Sequence, residues 1–217
     1  AGVALQSRRD EGVAHAVAAE LGGIALPAEL TDPAQVAGLV NAAASQWNGL
    51  DLVVACAAEW QATDASAATA TDLDRALQVN ARAPVDLLLR CRPWLEASSD
   101  GRAVVLGDLA GLTPLQGYLA HSMAKAALHA AVRGLATAWA PQVLVNAVVP
   151  GAVLAPDDLT AADWRAVQRA VPLGELALTQ PTVPVDAVAE AVLWLATCPR
   201  YVTGLLMPID GGRTARW

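Results

Sequence analysis

The sequence predicts an α/β domain built on a doubly wound parallel sheet, three layers deep, with helices on both faces. Three observations carry that expectation. Short aliphatic runs alternate with helical patterns along all 217 residues. The runs are almost continuously apolar, as strands buried on both faces are. No repeat, linker or low-complexity stretch divides the chain, so 1–217 reads as a single domain.

The elements follow in order. VALQS at 3–7 is the first expected strand, followed by a helical pattern near 11–21 and a second strand, GIAL, at 23–26. Thr31-Asp32-Pro33 then opens a helix over 33–47. Asp32 suits the N-cap, and Pro33 suits the first helical position, where no N–H is needed. LDLVVA at 50–55 is the third strand, and a long helical pattern spans 71–97. Pro84 falls inside that pattern and offers no N–H to the carbonyl of Asn80, which predicts a kink there. AVVLG at 103–107 is the fourth strand. The helix expected over 119–139 is apolar almost all round, more than one sheet face requires, so a second burial partner such as another subunit is expected. VLVNAVV at 143–149, helices near 159–170 and 185–197, and the strand GLLMPI at 204–209 complete the pattern. In such a sheet, ligands sit beyond the carboxyl ends of the strands.

Composition narrows the function classes. With 55% hydrophobic and 16% charged residues the chain reads as globular rather than disordered. A net charge of −7 argues against nucleic acid or an anionic membrane as partner. Cys56, Cys91 and Cys198 are far apart and lack metal-ligand spacing. They read as reduced core thiols of a cytoplasmic protein, with no disulfide and no metal site. No run of apolar residues is long enough to span a membrane. Thirteen arginines accompany a single lysine, Lys125, so that lysine is a weak pointer to a specific task.

Chemistry gathers at one strand end. Asp108 follows the fourth strand, and His121 and Lys125 stand at i and i+4 on the next helix. A carboxylate, an imidazole and an ammonium converging there would form a catalytic group. A turn aspartate beside an unrelated helix surface is the alternative, because i,i+4 pairs are common.

The order and spacing of these segments resemble the short-chain dehydrogenase/reductase family, a Rossmann-like fold, over essentially the whole chain, and within it pteridine reductases. In that family a helix-borne Tyr-x-x-x-Lys follows an active-site residue by thirteen positions; the residue is usually serine, but aspartate in pteridine reductases. Asp108 and His121 are thirteen apart and Lys125 completes the pattern. Asn80 in LQVNARAP matches the family's helix asparagine, and VNAVVPG at 145–151, with Pro150 and Gly151, matches its N-A-x-x-P-G segment. YVTGLLMPIDGG at 201–212 matches the closing Y-x-T-G…D-G-G strand.

The resemblance implies that residue 121 donates a proton, that Lys125 holds a nicotinamide ribose, and that Asp108 and Asn80 assist the relay. It implies NADP(H): Arg8 or Arg9 in SRRD would pair with a 2′-phosphate, Glu29 would stand near the adenine, and Ala57 would allow close cofactor approach. Solvent-facing arginines and an exposed loop acid are the alternatives. Trp60 and Tyr118 would contact a small, flat, pterin-like substrate beside Asp108, although Trp60 also reads as a loop anchor. The tail residue Arg216 or Trp217 would approach a neighbour's site in a homodimer or homotetramer.

Departures from the family pattern are equally specific. The family's proton-donating tyrosine is His121, and its N-N-A-G segment reads Ala55-Cys56-Ala57-Ala58. No G-x-x-x-G-x-G phosphate turn occurs, and the chain begins at what would be the second strand. The domain is therefore expected to be incomplete at its N-terminus, lacking its first strand and helix. Two function classes follow. One is an NADPH-dependent reductase of a planar heterocycle or a C=O/C=N bond. The other is a relative without hydride transfer, acting as a hetero-oligomer partner or in a non-redox elimination or cyclisation.

Overall fold

The computed structural model describes residues 2–8, 11–156 and 159–215, and within them strands and helices alternate as the sequence predicts. The strands are β1 (Ala4–Ser7), β2 (Ile24–Pro27), β3 (Leu52–Ala55), β4 (Arg102–Leu106), β5 (Leu144–Pro150) and β6 (Leu206–Ile209). All pairings are parallel, in two sheets: β1 with β2, and β3-β4-β5-β6. The larger sheet is in register through Val53 opposite Ala103, Val104 opposite Asn146 and Val148 opposite Met207.

Alternate residues of the larger sheet go to opposite faces, as the pleat dictates. Ala103 and Val105 of β4 pack against Leu88 and Leu95 of α4 (Ala83–Ala97) and Leu128 and Val132 of α5 (Leu119–Trp139). Val104, between them, packs with Val148 against Ala191 and Leu195 of α8 (Val183–Thr197). Two layers of helix thus sandwich the sheet, which is why its strands read as continuous apolar runs. On the smaller sheet α1 (Glu11–Glu20) packs against β1 and β2, and α2 (Pro33–Trp47) reaches across to α4. Leu52 and Val54, two apart on β3 and so on one face of it, remain 40% and 39% exposed.

The N-terminus of α2 forms as read: Asp32 Oδ1 accepts the N–H groups of Ala34 at 2.8 Å and Gln35 at 3.3 Å. The 71–97 pattern is not one kinked helix. It divides into α3 (Ala70–Leu77), a π-helical turn (Gln78–Arg82) and α4. The Ala83 N–H reaches back five residues to the Gln78 carbonyl. Pro84, just inside α4, cannot supply the ordinary bond to Asn80, and the wide turn accommodates that loss.

The exposed side of α5 carries the small residues Ala126, Ala127, Ala130, Gly134 and Ala138 together with Arg133 and Thr137. After β5 come α6 (Ala161–Arg169) and a short α7 (Gly174–Thr179), which the sequence pattern did not predict. Among the cysteines, Cys91 and Cys198 are buried and Cys56 is exposed. The core assignment therefore fails for Cys56, which lies past the end of β3 in a loop. Burial pushes the Cys91 thiol up to about 12, as suits an inert core residue.

Candidate active site

The carboxyl end of β4 runs into Gly107-Asp108 and a 3₁₀ turn, Leu109–Gly111. Asp108 is extended, and its Oδ1 caps the turn by accepting the Ala110 N–H at 2.7 Å. Its second oxygen, Oδ2, faces α5 and lies 3.3 Å from His121 Nε2. One turn along the same face, Lys125 Nζ donates to the carbonyls of Leu106 at 3.1 Å and Gly107 at 3.3 Å. Burial holds the Lys125 ammonium below the usual lysine range, partly offset by the charges of Asp108 and Cys56. The spacing in sequence therefore corresponds to proximity: Asp108, His121 and Lys125 meet at one strand end.

A further turn along, His129 completes a face of three polar side chains, each 3% exposed. The Asp108 N–H points at His129 Nε2 at 3.4 Å. Sequence reading stopped at the lysine, although His129 repeats the same four-residue interval.

Asn80 approaches from the π turn. Its Oδ1 accepts the Glu59 N–H at 2.8 Å and its Nδ2 donates to the Glu59 carbonyl at 2.9 Å. That carbonyl also lies 3.2 Å from His121 Nδ1. A carbonyl only accepts, so the contact is a hydrogen bond when Nδ1 carries the proton. Nε2 is then the nitrogen facing Asp108. It is buried and lacks hydrogen-bond geometry to any protein atom among the described residues.

Trp60 stands over the imidazole, edge-on at 4.7 Å between ring centroids, and leans on Tyr118 at 4.3 Å with a 38° tilt. Parallel bridging of Thr63 to Tyr118 pins this loop to the start of α5. Trp60 is thus both anchored and 40% exposed, leaving part of its surface open beside His121.

A cleft of about 230 Å³ opens beyond β1, β2 and β3, lined in part by Gln6, Ser7, Arg8, Glu29, Ala57 and Glu59. Arg8 lies 3.4 Å from both Glu29 and Glu59. Arg75 grips Glu59 with two bonds of 2.9 Å, which hold that carboxyl below its usual range. Glu29 is held low first by the Thr31 N–H, so it closes its own turn as well as facing Arg8. Arg9, Arg216 and Trp217 lie outside the described residues. Pro150 ends β5 opposite Ile209. A side chain on Gly151 would meet the Asp210 Cα at 2.9 Å, so the close approach of the last strand explains that glycine.

Glu59 and Arg75 were not legible as site residues. The partners of Glu59 lie 51 and 16 positions away, and only the fold brings them together. Among the described residues no cluster of His, Cys, Asp or Glu has metal-binding geometry, and no helix is long and apolar enough to cross a membrane.

Comparison with known proteins points one way. The family described as enoyl-(acyl carrier protein) reductase matches residues 1–214. An uncharacterized oxidoreductase of Mycobacterium tuberculosis is 30% identical over 196 residues, covering 86% of this chain and 71% of its own length. Pteridine reductase 1 of Leishmania tarentolae is 35% identical over 101 residues, 46% of this chain and 33% of that protein. A dehydrogenase/reductase from Sinorhizobium meliloti 1021 shares the fold with a TM-score of 0.85 at 28% identity, over 98% of this chain and 84% of that one.

Proposed function

The chain belongs to the short-chain dehydrogenase/reductase family of oxidoreductases, and from that premise we propose that it is a cytoplasmic NADPH-dependent reductase of a planar heterocycle or a C=O/C=N bond. The observation that carries the proposal is the buried convergence of Asp108, His121 and Lys125 at the end of β4.

The residues fit a dinucleotide. The cleft lies at strand carboxyl ends and holds, among the described residues, the guanidinium of Arg8, which would exchange its carboxylate partners for a 2′-phosphate. Ala57 keeps its wall low. Lys125 would reach the nicotinamide ribose with the Nζ proton not used on Leu106 and Gly107, and Pro150 and Gly151 would flank the nicotinamide. NADPH, when bound, supplies the hydride.

In this reading His121 does the proton work. The Glu59 carbonyl, fixed by the Asn80 amide, orients the ring and keeps one proton on Nδ1. Nε2 would give a proton to the substrate atom as it is reduced, and the partly exposed Asp108 carboxylate, 3.3 Å away, would pass on a replacement taken up from water. Trp60 and Tyr118 offer a flat, pterin-like substrate an aromatic edge beside that nitrogen. Assembly as a homodimer or homotetramer would cover the small-residue side of α5.

A second reading rests on a specific observation: Arg8 is already paired with two carboxylates, and Lys125 is bonded to main-chain carbonyls. A relative without hydride transfer, acting as a hetero-oligomer partner or in a non-redox elimination or cyclisation, would show the same contacts. Titration of the full-length protein with NADPH, followed by nucleotide fluorescence, separates the two. The reductase reading expects a saturable shift, and expects Lys125→Ala to abolish NADPH oxidation; absence of any NADPH binding sinks it.

A further inference from the structure

We propose that His129 is a positioning residue: wedged between Gly107 and Gly111, its Nε2 takes the Asp108 N–H and so aims the Asp108 carboxylate at His121. The inference deepens the acid pair proposed above and rests on that reading for its effect on turnover, but not for its geometry.

The contacts are specific. Gly107 and Gly111 bracket the Asp108 turn, and the imidazole fills the space that side chains there would take. A Cβ on Gly107 would collide with His129 Nε2, and one on Gly111 would fall 2.7 Å from Cε1 and 2.8 Å from Nδ1. Asp108 is consequently tied at two points. Its N–H goes to His129 Nε2 at 3.4 Å, and its Oδ1 goes to the Ala110 N–H at 2.7 Å. Only Oδ2 is left, and it faces His121 at 3.3 Å. Lys125, between the two histidines, fixes the preceding carbonyls of Leu106 and Gly107. One face of α5 therefore grips the turn at successive groups, and His129 supplies the grip on Asp108 itself.

An acceptor at Nε2 requires an unprotonated nitrogen there, with the ring proton on Nδ1. The surroundings favour that state. Burial first, then the charge of Lys125 and, less, that of Arg133, hold the imidazole below the usual histidine range against the opposing pull of Asp108 and the Gly111 main chain. These are the charged groups that face the ring: Lys125 and Arg133 from its own helix, Asp108 from the turn after β4. The Nδ1 atom is buried on the Gly111 side of the ring, and Nε2 faces the Asp108 N–H.

The test uses the full chain with ¹⁵N-labelled histidine and reads the ring resonances of His121, which a packing role for His129 would not move. His129→Leu keeps the bulk and removes the acceptor. His129→Gln returns an amide oxygen to the place of Nε2. We expect His129→Leu to shift the His121 ring nitrogens and to lower kcat by roughly 10–100-fold with the KM for NADPH unchanged. His129→Gln should restore both the resonances and most of the turnover. Gly107→Ala, which pushes the ring aside by a different route, should reproduce the His129→Leu shift and serves if that variant does not fold. Unmoved His121 resonances in both disrupting variants, or equal loss in His129→Leu and His129→Gln, overturn the proposal. Failure of NADPH turnover in the parent protein would refute the reductase reading while leaving the resonance comparison intact, so the two fail separately.

Discussion

His129 and Lys125 are basic side chains buried where their charged forms are disfavoured, and this leaves a signature in stability against pH. For His129 the folded-state pKa lies below the ordinary value of 6.5. As pH falls below 6.5, the unfolded chain takes up a proton that the native protein does not. Stability therefore declines from that point down through the folded-state value and is unaffected well above it. Carboxylates held low, among them Glu59 and Asp210, add their own loss only further into acid, below their ordinary values of 4.5 and 3.8. The midpoint of urea unfolding should thus fall between pH 7 and 5 in the parent and fall less in His129→Gln; equal slopes would assign that loss elsewhere. At this scale the sequence was informative where the interval was short. Asp108, His121 and Lys125 lie within one strand–turn–helix unit, so spacing offered their convergence beside the alternative of an unrelated helix surface, and the family pattern favoured it. Glu59 was illegible because its side-chain partners come from β1's end and α3.

The π turn between α3 and α4 shows how one residue type reorganises an element. Pro84 was legible as a break in a helical pattern, but not as a wide turn, because proline removes a bond without dictating what replaces it. Here the replacement is the five-residue reach from Ala83 to Gln78, and it sits where Asn80 turns its amide toward Glu59. Pro84→Ala returns the missing N–H and lets the ordinary helical bond to the Asn80 carbonyl compete. The expected outcome is a protein that keeps its helix content by circular dichroism but loses protection of the Asn80 side-chain amide from exchange with solvent. Turnover should drop with it, since loss of the paired bonds to Glu59 is worth about 1–3 kcal/mol. Unchanged amide protection would mean that tertiary packing alone sets the turn. The Asp32-Pro33 start of α2, by contrast, was readable in full, because a cap and its proline act within three residues. The short α7 escaped notice: six residues do not display a helical period, and its first residue, Gly174, is required by the backbone of Gln168.

Across the whole molecule, the alternation of apolar strands and helices was enough to place the layers. Among the described residues β1 pairs with β2 and β3 with β4, in separate sheets. Charge is part of what joins the two sheets at their carboxyl ends. Arg8 follows β1, Glu29 follows β2, Glu59 follows β3 and Arg75 rides on α3, and together they form one chain of ion pairs. Glu59 has a second engagement: its carboxylate belongs to that chain, while its main-chain carbonyl orients the His121 ring. The solvent is thereby given a line to an enclosed imidazole. Dissolved salt weakens half-exposed ion pairs, the Debye length shrinking to about 3 Å at 1 M. The His121 ring resonances should accordingly drift with ionic strength in the parent protein and stay fixed in Glu59→Gln, so that a residue out of reach of ions still registers how many surround the molecule.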